Sequence, residues 1–243
     1  MTDLFVIDYG PMEDLMFWGR FGRLLGARGA DAPPALIFLG SGERVQGQLG
    51  GPGAAPRTNG ELPSDPDRAA RLERGMREDM QSVVATLTDE GISAVGFCGV
   101  DRNFLRFDEK TESVDEEGFN LLRIGRRALE SAIKWTDRGV IPVVSCLAGT
   151  PDRGVRDVHP AAVAASVAET LTNTRTVFVA QRLTSGLRSL LSDPKSTEIA
   201  LSDLGNALAE PIVASQLLSR LERVHITHPD LRDLRRPPRI VHS

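Results

Sequence analysis

Asp157 and His159 stand two residues apart in Asp157-Val158-His159-Pro160-Ala161. A carboxylate beside an imidazole is a pairing that moves protons in general acid–base chemistry. The same residues also read as a helix start, with Pro160 at the first helical position. Asp8 closes the apolar run Leu4-Phe5-Val6-Ile7 and opens Asp8-Tyr9-Gly10-Pro11. Its carboxylate reads as a general base or metal ligand, or as a simple turn cap. Gly40-Ser41-Gly42 ends a second apolar run, where backbone N–H groups can cradle an anion or merely shape a tight turn. Gly10, Gly99 and Asp101 occupy corresponding run ends, Asp101 also reading as a cap. The catalytic candidates are therefore Asp8, Asp157 and His159. The substrate- or anion-binding candidates are Gly10, Gly40, Ser41, Gly42, Gly99 and Asp101. His225 and His228 lack carboxylate or cysteine neighbours at ligand spacing, so no metal is expected. Cys98 and Cys146 sit in apolar runs and read as buried thiols.

The composition narrows the partners. At 243 residues with 41% hydrophobic and 26% charged residues, the chain suits a globular α/β domain or two small lobes. A net charge of −4 gives no electrostatic reason to expect nucleic acid. Of 29 basic residues only Lys110, Lys134 and Lys195 are lysines, which leaves little of the compact point charge that phosphate chemistry often uses. No apolar run reaches the roughly 18 residues of a membrane span. The apolar run at the N-terminus has no basic region before it, so no signal peptide and a cytoplasmic location are expected.

Strands and helices alternate in the pattern. Apolar runs predict strands at 4–7, 35–39, 92–98, 140–146, 176–180 and 223–227. Helical spacing predicts helices at 14–28, 67–90, 123–138, 160–171 and 201–221, the last kinked or restarted at Pro211. Residues 46–66 read as an irregular loop, 105–119 as a surface hairpin, 181–198 as a polar loop, and the Pro-rich 232–238 as an extended arm. Trp18 and Phe21 read as core or as a subunit contact. Alternating strands and helices imply parallel βαβ units and an α/β sandwich that binds ligands at the carboxyl ends of its strands.

Four segments in order carry a resemblance: Val6-Ile7-Asp8-Tyr9-Gly10-Pro11, Ile37-Phe38-Leu39-Gly40-Ser41-Gly42, Ile92 through Asp101, and Gly139 through Ala168. Together they resemble the amino acid kinase family, and within it the acetylglutamate kinases, over about residues 4–230. The resemblance implies one domain over 1–243, a three-layer α/β/α sandwich with a mainly parallel sheet. A carboxylate-binding half would span about 1–175, a shortened nucleotide-side half about 176–230, and a tail 231–243. It also implies where the family's chemistry is missing. Asp8 stands in place of a first-strand lysine, and Ile212 in place of a late-helix lysine. Ala161 replaces the aspartate that organises both lysines. Asp157 and His159 replace two asparagines, and Leu62, near Arg57, replaces an arginine that clamps carboxylate. Phosphoryl transfer rests on oriented positive charge, at roughly 3 kcal/mol per oriented donor.

The resemblance therefore implies a non-kinase paralogue that binds a small carboxylate, or one that serves a regulatory or structural role beside an active paralogue, with no cofactor. The competing expectation is a diverged enzyme of the family acting on an amino-acid-derived carboxylate, with or without ATP and magnesium. A homodimer is expected, with the apolar helix faces at 67–90 or 123–138 supplying the contact.

Overall fold

The computed structural model describes residues 1–7, 12, 14–29, 31–42, 45, 66–107, 122–151, 154–180, 188–189, 191, 198–200, 223–228 and 239–241. Asp8, Gly10, Arg57, Leu62, Ile212, the loop 46–65 and the helix expected at 201–221 lie outside them.

Strands β1 (Thr2–Ile7) and β2 (Ala35–Leu39) read as unbroken apolar runs because both faces of a parallel sheet are covered. They pair in parallel and sit at the centre of an eight-stranded sheet. β3 (Ala94–Cys98), β6 (Ile141–Ser145), β9 (Thr174–Val179) and β11 (Val224–Thr227) join them in parallel. β10 (Glu198–Ala200) and β12 (Arg239–Val241) extend the sheet beyond β11, in the order β10-β12-β11-β9-β1-β2-β6-β3. Only the β11–β12 pairing is antiparallel in this sheet. Residues 239–241, expected in the tail, are thus a sheet strand held between β10 and β11.

Side chains alternate across the sheet and fill two cores. On one face Leu4, Val6, Leu36, Phe38 and Val144 pack with helices α3 (Arg126–Thr136) and α4 (Pro160–Thr170). On the other Phe5, Ile7, Ile37, Leu39 and Val143 pack with α1 (Leu15–Gly26) and α2 (Pro66–Asp89). Burying each of these large side chains contributes roughly 1.5–3 kcal/mol. This is the expected sandwich of helix, mainly parallel sheet and helix. Trp18 and Phe21 are core residues in an edge-to-face pair. The apolar stripe of α2 (Leu72, Met76, Met80, Val83, Leu87) is buried within the protomer, as are Leu129 and Ala132 of α3, so these stripes are not open for a subunit contact.

A second sheet corrects two expectations. β4 (Leu105–Phe107) pairs antiparallel with β5 (Leu122–Ile124), so the return arm of the hairpin lies past residue 119, where a helix was expected. Gly125 ends that arm and starts α3. A side chain there would lie 2.2 Å from the Asn103 carbonyl oxygen, so only glycine allows the chain to turn. Between β6 and α4, where the sequence pattern predicts no strand, lie two short antiparallel strands, β7 (Leu147–Gly149) and β8 (Val155–Asp157), completing the order β5-β4-β7-β8. Three-residue strands are too short for alternation to reveal them.

Candidate functional site

The carboxyl ends of β2, β3 and β6 gather at one edge of the sheet, and most described candidates lie there. Gly40-Ser41-Gly42 follows β2 directly. The Gly40 N–H donates to the Ile7 carbonyl at 2.9 Å, prolonging the β1–β2 ladder, so it is not available to an anion. Ser41 is buried, and its hydroxyl donates to Asp157 Oδ2 at 2.5 Å. The turn after β2 is thereby tied to the end of β8, 116 residues later. A charge-assisted O–H···O⁻ bond of this length belongs to the strong class. Gly42 lies against α2 and Met12: a side chain there would come within 2.8 Å of Asp79 Oδ2 and 3.0 Å of Met12 Cγ.

Asp79 is the residue here that sequence reasoning missed. Its side chain comes from the apolar stripe of α2, three residues after Met76 and four before Val83, and it is buried. A carboxylate on an apolar stripe was the available signal. Two carboxylates, Asp79 and Asp157, therefore flank the Gly40–Gly42 turn.

His159 caps α4. Its Nδ1 accepts the Ala161 N–H at 3.2 Å, so the neutral ring carries its proton on Nε2. In that state the imidazole presents a donor at Nε2, and accepting a proton at Nδ1 means giving up the cap. Asp157 and His159 thus serve two different structures, the β2 turn and the α4 N-terminus. Ala161, where the resemblance places an organising aspartate, is a core methyl with 0% exposure, set among Ala162, Val163, Ala164 and Ala165.

Gly99 and Asp101 work within the turn after β3. The Gly99 N–H donates to Ser145 O at 2.8 Å, and a side chain on Gly99 would overlap Leu105 and the Leu147 carbonyl. Asp101 accepts the Cys98 N–H at 2.8 Å and a two-pronged bond from Arg77 of α2 at 3.0 and 2.6 Å. Burial pushes the Asp101 carboxyl upward, but the Arg77 and Cys98 hydrogen bonds outweigh it and hold the group below its ordinary value. Arg77 is held protonated above its ordinary value by the same bond. Cys98 and Cys146 are free, buried thiols, and burial pushes Cys98 up to about 11. Among the described residues no group of three or more His, Cys, Asp or Glu side chains is set to hold a metal ion. No helix among them is long and apolar enough to cross a membrane.

No family model matches the chain. Acetylglutamate kinase from Methanopyrus kandleri is 29% identical to it over 148 residues, 58% of each chain, so the match spans less than two thirds of that relative. N-acetylglutamate synthase from Neisseria gonorrhoeae, solved with coenzyme A and N-acetyl-glutamate, aligns with all of this chain and 59% of its own at a TM-score of 0.65 and 16% identity. The T. acidophilum isopentenyl phosphate kinase product complex aligns over 99% of this chain and 100% of its own, at 0.60 and 14%. Aspartate kinase from Synechocystis covers 99% of this chain and 40% of its own, at 0.61 and 10%. The chain has the amino acid kinase fold. It is a homologue of acetylglutamate kinase, as its four sequence segments imply. The solved amino acid kinase folds differ in the ligands and reactions they name, so this fold does not choose a reaction.

Proposed function

We propose that this amino acid kinase homologue binds a small carboxylate in the crevice over Gly40–Gly42 and does not transfer phosphate in the family's way. One observation carries the reading. Ala161 is sealed in the core, where the family's organising aspartate would reach the crevice. The carboxylates of Asp79 and Asp157 flank the turn that would otherwise face a phosphate. The division into a carboxylate-binding half at about 1–175, a shortened nucleotide-side half at about 176–230 and a tail belongs to the same proposal. So does a homodimer, whose contact has to use surfaces other than the buried stripes of α2 and α3. Pairing with an active paralogue would give the crevice a regulatory role.

Calorimetry tests this directly. MgATP is expected to show no low-micromolar binding, and N-acetyl-L-glutamate, the ligand of the synthase that shares the fold, is the first carboxylate to titrate. Tight MgATP binding with turnover would overturn the reading in favour of a diverged enzyme. The short Ser41–Asp157 bond is the observation that favours that second reading, since a serine beside a carboxylate can be activated as a nucleophile. Loss of turnover in Asp157→Asn would then assign the base.

A further inference from the structure

We draw no further inference here: the strongest candidate, the half-exposed apolar edge that Val95 and Phe97 of β3 form with Trp135 of α3 at the end of the eight-stranded sheet, carries nothing because nothing in the structure shows what covers it.

Discussion

Replacing Asp3 by alanine should destabilise this protein more than any other single change on its sheet. Asp3 has 0% exposure and stands directly opposite Arg175 in the β1–β9 register. It accepts bonds from Arg175 Nε at 2.7 Å, Arg175 Nη2 at 2.6 Å and Arg28 Nη2 at 2.6 Å. Arg28 also donates to the Pro33 carbonyl at 2.6 Å and lies over the Phe5 ring. Burial lowers the Arg28 pKa, Asp3 raises it, and Arg175 lowers it again, so Asp3 favours keeping the Arg28 guanidinium charged in the interior. Removing it leaves two nearly buried cations facing each other. Breaking a buried pair by deleting one partner costs about 3–5 kcal/mol. For a chain of this size that lowers Tm by roughly 6–20 °C, at about 2–4 °C per kcal/mol. The singles should rank Asp3→Ala worst, then Arg175→Ala, then Arg28→Ala, since Arg175 supplies two of the three bonds to Asp3. A triple change, Asp3→Leu with Arg28→Met and Arg175→Leu, should recover most of the loss, because apolar isosteres remove the uncompensated charge. Urea unfolding measures all of this. A loss under about 1 kcal/mol for Asp3→Ala, or a triple variant no better than the single, would refute the reasoning.

Two further outcomes follow from the turn after β3. Asp101 is held below its ordinary value in the folded state, so its contribution is full above the unfolded carboxyl's pKa of about 3.9 and fades as pH falls through the folded value. The difference in urea midpoint between wild type and Asp101→Asn should therefore be largest near neutral pH and shrink in acid, and a difference constant from pH 7 to pH 3 would contradict it; added salt should reduce it, as the Arg77–Asp101 pair is part-exposed. Cys98 is pushed up to about 11 and is buried, as is Cys146, so a disulfide-exchange reagent at pH 8 should label neither thiol in the native protein and both in denaturant; rapid native labelling of Cys98 would show the turn to be open.

The fold was legible because parallel strands buried on both faces write themselves as apolar runs. Leu4–Ile7, Ala35–Leu39 and Val143–Ser145 could hardly have been anything else. What failed to show were elements held by pairing rather than by pattern. β7, β8 and β12 are three residues each and carry no periodicity of their own. β5 was hidden by Arg123, which sits opposite Arg106 in the hairpin register and reads as the charged face of a helix. The candidate site was legible in its parts and not in its connections. Gly40–Gly42, Asp157 and His159 were visible as types, but the bond from Ser41 to Asp157 spans 116 positions, and no local pattern encodes it. Asp79 was missed because an acid on a helix looks ordinary unless it is set against the apolar stripe that carries it.

The two edges of the sheet carry different kinds of polar residue, and that difference has a physical reason. At the amino ends of β1 and β9, Asp3 pairs inside the protein with both Arg28 and Arg175. At the carboxyl ends, the polar groups are distributed over the β2 turn, α2, β8 and the start of α4, with links between elements such as the Ser41–Asp157 bond. A closed cluster contributes stability and specifies register, since Asp3 meets Arg175 only when β1 and β9 pair as they do. A set spread over several elements can change its residues without unfolding the sheet, because the core stripes beneath it are apolar. That division lets a chain keep the amino acid kinase fold while the polar residues over its crevice vary. It also sets the expectation for the crevice itself: Ser41→Ala and Asp157→Asn should each cost no more than the ordinary 0.5–3 kcal/mol of a lost hydrogen bond, well short of the loss from Asp3→Ala. If either variant instead unfolds the protein in urea as readily as Asp3→Ala does, the Ser41–Asp157 link is a structural clamp on β8 and the crevice is not an independent site.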